Sequence, residues 1–207
     1  MSSPFYLLKK IPLTNDIMVN QYKKRARQIV RRISPFIGKK EKILDIGTGT
    51  GFVAAGIAKV KNKNITCVDV HRNPLNISDK IIIYNGKKLP FSDNSFDTVL
   101  LITVLHHCKN PSKILNEAVR VASKKVIVME DIFESKIEKL LTLIEDSIVN
   151  WEFRGHPHSN KTEAEWYKIF KNKKLKVINF EKFGLVRAGF PFKIGIFILG
   201  KNRNRNK

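Results

Sequence analysis

Only two cysteines occur in these 207 residues, at Cys67 and Cys108. Cys67 falls in an apolar strand pattern and Cys108 in a loop context, with no paired spacing between them, which excludes a disulfide framework or a cysteine metal cluster. No segment reaches the roughly 18 uninterrupted apolar residues of a membrane-spanning helix. The start, MSSPFYLLKKIPL, lacks the charged opening, apolar stretch and small-residue cleavage site of a secretory leader. A reducing, cytoplasmic location is the expectation. Acidic residues are scarce: Asp+Glu number 18 against 39 Lys+Arg, a formal charge of +21. Such a balance points to nucleic acid, an anionic membrane surface or an acidic substrate, although lysines scattered over solvated faces give the same total. No internal repeat or linker divides the chain, and 43% hydrophobic residues suffice for one core, so residues 1–207 are expected to form one domain.

Three of the 11 glycines, Gly47, Gly49 and Gly51, crowd into KILDIGTGTG. Ile43, Leu44 and Ile46 before them read as a strand, and Phe52 to Val60 after them as a helix, so the glycines occupy a strand-to-helix turn. No Lys-Ser or Lys-Thr follows, which weakens a P-loop, and Phe52 stands at the last glycine of G-x-G-x-x-G, which weakens a dinucleotide fingerprint. The remaining pattern, an acidic residue followed by G-x-G-x-G, resembles motif I of the class I methyltransferases that use S-adenosylmethionine (SAM). The resemblance implies a cofactor turn made of Gly47, Thr48, Gly49, Thr50 and Gly51, with the methionine part of SAM across it and Asp45 near the ammonium group.

A second strand, Ile65 to Val70, carries Asp69 about twenty residues after Gly49, the separation that brings an acid to a ribose diol. Val70 follows it at the same edge. The crossover to Ile81–Ile83 is barely long enough for a helix, which is expected to be reduced to a turn. Beyond it, Leu89, Pro90, Phe91, Asp93, Ser95, Phe96 and Asp97 are similar to a segment of many small-molecule methyltransferases. By that resemblance Asn85 stands where an acid reads the adenine, and Gly86 offers its backbone N–H beside it. A fourth strand, Thr98 to Thr103, leads into VLHHCKNP; Ile102 is expected to border the methionine end of SAM. His106 and His107 are candidates for removing a proton from the acceptor, since the unperturbed imidazole pKa lies near neutrality.

At the amino end, residues 1–40 read as a basic helical region. Its helix is capped by Asn15 or Asp16, with Val19, Tyr22, Ala26, Ile29 or Val30, and Ile33 on one face and Lys23, Lys24, Arg25, Arg27, Arg31 and Arg32 elsewhere. A helix follows from Pro111 or Ser112, then a fifth strand, Lys125 to Met129, ending in Glu130 and Asp131. Residues 132–161 read as an insertion over the sheet edge: a helical stripe (Ile137, Leu140, Leu141, Ile144, Ile148) and a loop with Trp151, Phe153, His156 and His158. With Glu130 and Asp131, Trp151, His156 and His158 are the candidate substrate pocket. Two histidines lack the further ligands of a metal site, so no metal is expected. Thr162 and Glu165 form a possible capping box, strands Leu175–Phe180 and Lys193–Leu199 close the sheet, and residues 201–207 read as a disordered tail.

The expected fold is a Rossmann-like, doubly wound α/β sheet of seven mostly parallel strands with helices on both faces. The expected activity is transfer of the SAM methyl group to a small-molecule or lipid-like acceptor, the group most similar being the ubiquinone and menaquinone C-methyltransferases. Alternatives are an RNA methyltransferase using the basic helix and tail, and a non-enzymatic partner protein of the same fold.

Overall fold

The computed structural model describes residues 12–73, 75–77, 80–135, 137–140, 160–187 and 190–201. Seven strands form one sheet: β1 (Ile43–Ile46), β2 (Thr66–Asp69), β3 (Ile81–Ile83), β4 (Phe96–Ile102), β5 (Ala122–Ile132), β6 (Leu175–Arg187) and β7 (Phe190–Lys201). Their order is β3-β2-β1-β4-β5-β7-β6. The first five run parallel, while β7 lies antiparallel between β5 and β6. β1 is buried at every residue, as a central parallel strand covered on both faces must be. The strand order reverses between β1 and β4, and in open α/β sheets that switch point opens a crevice at the carboxyl ends.

The sheet is packed by helices α1 (Pro12–Ile33), α2 (Phe52–Lys61), α3 (Pro111–Val121) and α4 (Glu163–Asn172). Helix α1 opens at Pro12, where the missing N–H costs nothing, so Asn15 and Asp16 lie inside it and do not cap it. Ala26, Ile29, Val30 and Ile33 form its buried stripe, and Lys23, Lys24, Arg27 and Arg31 its exposed face. It crosses α2 at Gly56, where a Cβ would stand 2.8 Å from Val30 Cγ2, so only glycine permits this approach. One apolar cluster joins α1 and α2 to Leu100, Ile127 and Ile196; the other joins α3 and α4 to Val99, Val128 and Phe197 on the opposite face.

Helix α4 begins with the expected capping box: Thr162 Oγ1 accepts from Glu165 N at 3.2 Å, and Glu165 Oε2 accepts from Thr162 N at 2.8 Å. Thr162→Ala should cost about 1 kcal/mol of folding stability, read by urea denaturation.

Three expectations need correction. β5 is longer than Lys125–Met129, because Ala122 pairs with Phe96 and the antiparallel partner β7 continues pairing to Ile132 opposite Lys193. Ala122–Lys124 are therefore strand, and Glu130 and Asp131 lie within β5, 0% and 2% exposed. β6 and β7 also extend beyond their expected limits, pairing continuously to Arg187 and Phe190. The expected reduction of the β2–β3 crossover holds: no helix occurs from Val70 to Lys80 among the described residues. Most of the expected insertion, including Trp151, His156 and His158, lies outside the described residues, as do residues 202–207 of the tail.

Candidate active site

The glycine turn leaves β1 at the switch point. Gly47, Gly49 and Gly51 have φ of 69°, 52° and 78°, in the left-handed region that side chains resist. Gly47 N and Thr48 N both donate to Val68 O on β2, at 2.8 and 3.2 Å, and Gly51 N closes the turn onto Thr48 O at 2.9 Å. The glycines are required for different reasons. A Cβ on Gly47 would lie 2.5 Å from Val104 Cγ2, whereas one on Gly49 would meet nothing nearer than Gly47 O at 4.0 Å. Gly47 is thus demanded by packing within the protein, and among the described residues the space over Gly49 is open.

Two carboxylates flank the turn. Asp69 Oδ2 accepts from Gly49 N at 2.9 Å and Oδ1 from Val70 N at 2.7 Å, so this side chain fixes the turn while each oxygen keeps a lone pair for hydroxyl donors. Asp45 is 3% exposed. Burial pushes its pKa from an ordinary 3.8 up to about 7, the Thr48 hydroxyl offsets part of that, and neighbouring Asp69 adds to it. A cationic group beside Asp45 would restore its charge.

Next to Asp69, exposed Val70 faces Gly86, where a Cβ would stand 3.1 Å from Val70 Cγ1; Gly86 has φ 69°. The neighbouring Asn85 Oδ1 accepts from Lys87 N at 2.9 Å and Lys88 N at 3.3 Å, leaving the amide N–H2 to present donors outward. Ile102, 8% exposed, ends β4 beside the turn.

The two histidines separate in role. His106 is 2% exposed, and its Nδ1 lies 2.5 Å from Glu130 Oε2. The other oxygen of Glu130 accepts from Val104 N at 3.0 Å and Leu105 N at 2.7 Å. One buried carboxylate on β5 therefore holds the 3₁₀ turn Leu105–His107, and through Val104 it also sets the wall against which Gly47 packs. His107 is half-buried with its ring centroid 3.9 Å from that of His106. Burial pushes Tyr84 up to about 12 and the Cys108 thiol up to about 11, which keeps both protonated at neutral pH.

Sequence reasoning missed three contributors. Asn76 Nδ2 donates to Gly49 O at 2.6 Å, and Ile77 N donates to Thr50 O at 3.0 Å, so the helix-free crossover braces the turn. Arg25 reaches from α1 to donate to Thr103 Oγ1 at 3.0 Å, where Thr103 takes a positive φ of 52° at the end of β4. Val104 opens the segment VLHHCKNP, but nothing in the sequence marks its contact with Gly47. These contacts span 27 to 78 residues of sequence and depend on the assembled sheet edge. Among the described residues no cluster of three or more metal-ligating side chains occurs, and no helix is long and apolar enough to cross a membrane.

Residues 44–129 match the family model described as a methyltransferase domain. The chain is 36% identical over 113 residues to an uncharacterized protein of Methanocaldococcus jannaschii, covering 52% of this chain and 50% of that one. It is 26% identical over 204 residues to a ubiquinone/menaquinone biosynthesis C-methyltransferase of Agrobacterium fabrum, covering 88% and 77%. The match spans about half the length of the first of these relatives. A crystal structure of a SAM-dependent methyltransferase from Methanosarcina mazei superposes with a TM-score of 0.62 at 20% identity, covering 82% of this chain and 96% of that one, a likeness of fold.

Proposed function

We propose that this chain, a class I SAM-dependent methyltransferase by its fold and matched domain, binds SAM over the glycine turn and methylates a small-molecule acceptor, with a quinone-like ring as the favoured class. The observation that carries the reading is the cradle itself: an open space over Gly49, bordered by a buried acid at Asp45 and by Asp69 bonded to the turn. Asp45 suits an ammonium group, Asp69 two vicinal hydroxyls, and the Val70–Gly86 gap with the Asn85 amide a flat heterocycle carrying acceptor nitrogens. When bound, SAM supplies an activated methyl group on a sulfonium. The chain's part is to align the acceptor with that carbon and, for a phenolic acceptor, to take its proton. We assign that proton to His107, whose ring lies against that of His106, itself held by Glu130.

The acceptor wall is assigned to the segment after Ile132, including Trp151, His156 and His158. One domain, in the cytoplasm, completes this reading, consistent with Cys67 and Cys108 both being thiols. The similarity to quinone-biosynthesis methyltransferases supports the acceptor class. A second reading, methylation of RNA, rests on the exposed cationic face of α1 (Lys23, Lys24, Arg27, Arg31).

The glycine pair gives the cofactor test. Gly49→Ala should lose about 1 to 2 kcal/mol of stability from its left-handed backbone, yet weaken S-adenosylhomocysteine at least tenfold in calorimetry. Gly47→Ala should be destabilised by more, because Val104 must move as well. Unchanged affinity in a folded Gly49→Ala protein would remove SAM from this turn. Methyl-labelled SAM incubated with fractionated lipid, small-molecule and RNA extracts then separates the acceptor classes. Label in RNA, with binding that weakens steeply with salt, would favour the second reading.

A further inference from the structure

The helix-free crossover has a consequence on the α1–α2 face of the sheet. Among the described residues there is no helix between Val70 and Lys80, and none of them covers β2 and β3 beside α2. The result is a groove of about 650 Å³ running along α2 from Gly51 past Ala54 and Ala58, floored by Cys67 and Ile82. Ile77 and Ile82 are 47% and 40% exposed there. The walls are alanine on one side and isoleucine on the other, a surface that in a doubly wound sheet is ordinarily covered by a helix.

Charge indicates what could cover it. Among the described residues no acidic side chain lines the groove, while Lys80 is exposed on its rim. Lys59 and Lys61 continue the α2 faces of Ala55 and Ala58 by helical spacing. A second copy of this chain would bring another +21 charge to the same place, and residues 1–11 carry Lys9 and Lys10 with no acid. A small molecule would find few polar handles for orientation: Asn64, Thr66 and Lys80 supply the polar side chains. The length available along α2, ten residues or about 15 Å, accepts three turns of helix.

We propose that this groove docks an acidic amphipathic helix of a partner protein. Its apolar stripe lies between α2 and Ile82, in the place left without a crossover helix, and its carboxylates meet Lys59, Lys61 and Lys80.

The probe is a fluorescent, stapled 14-residue peptide with leucines at helical i, i+3, i+4 and i+7 spacing and glutamates elsewhere, read by anisotropy at 150 mM salt. A scrambled peptide of the same composition without the stripe is the control. Wild-type protein should bind the striped peptide at least tenfold more tightly than the scrambled one. Ala58→Glu should weaken it at least tenfold, as should the paired reversal Lys59→Glu with Lys80→Glu. Melting temperatures certify that each variant is folded, and Ala55→Glu, at an exposed position, replaces Ala58→Glu if that protein does not fold. Equal binding of the two peptides, or unchanged binding by the groove variants, overturns the proposal. So does tighter peptide binding after deletion of residues 2–11, which would make the amino-terminal segment the occupant. A concentration-dependent dimer in sedimentation that Ala58→Glu abolishes would make it a second copy.

Discussion

Asp45→Asn is expected to make the ligand-free protein more stable at pH 8 and at the same time to weaken SAM at least tenfold. The folded protein holds the Asp45 proton up to about pH 7, whereas the unfolded chain releases it near the ordinary 3.8. The fold therefore binds more protons than the unfolded chain between those values, and its stability falls as pH rises through that window. A displacement of about three pKa units corresponds to about 4 kcal/mol as an upper figure. Asparagine is close in shape and carries no charge to bury, so thermal melts of variant and wild type should coincide near pH 4 and separate toward pH 8. Binding moves the opposite way, because the carboxylate is what an ammonium group stabilises. In the wild type SAM should bind with proton release near pH 6, so its affinity should fall as pH drops from 8 to 5. The variant should lack both the affinity and the pH dependence. Equal melting temperatures at pH 8 would contradict the buried-acid account, and equal affinities would remove Asp45 from the ammonium site.

The second large effect is expected at Glu130. Removing its carboxylate in Glu130→Ala takes the acceptor from the N–H groups of half-buried Val104 and buried Leu105 and removes the contact with the buried His106 ring. Breaking a buried charged network from one side costs about 3 to 5 kcal/mol, to be read from urea denaturation. Because Val104 packs on Gly47, loosening this turn should also weaken S-adenosylhomocysteine, although Glu130 lies within β5 beneath the turn. Glu130→Gln keeps an acceptor for the two N–H groups and should lose less than half as much. Equal losses in both variants would assign the stabilisation to charge alone, and no loss in either would refute the network.

What could be read from the sequence was local. The glycine turn, the strands on either side of it and Asp69 lie within a short span whose spacing carries the geometry, and α3 and the Thr162–Glu165 box follow from helical periodicity and capping chemistry. What escaped depends on register between strands distant in the chain. Glu130 lies opposite Gly195 and touches a histidine 24 residues away, neither of which a spacing rule connects. The ends of β5 were misjudged for the same reason: parallel pairing with β4 stops at Ile102–Met129, and the remaining residues are held by β7, whose partner cannot be inferred from its own composition. His106 and His107 read alike as neighbours in a motif, and only the fold shows that one is buried against a carboxylate. Asn76 carries no signal in the sequence; its role comes from the crossover bending back onto Gly49.

The position of β7 also constrains how the molecule can be made. It is the last strand in chain order, yet it sits between β5 and β6. On the ribosome, β1 to β5 emerge first and can assemble, but the eight residues Lys125–Ile132 present unpaired backbone N–H and C=O groups on the side of β5 that β7 will occupy, until the hairpin has been synthesised. At 5 to 20 residues per second, the roughly 70 residues from Ile132 to Lys201 take several seconds to add, before the exit tunnel is cleared. Throughout that interval the nascent chain carries an open edge that another polypeptide can join. Its yield in the cell should therefore depend on chaperones that shield strand edges, and on translation speed over the stretch that encodes the final hairpin.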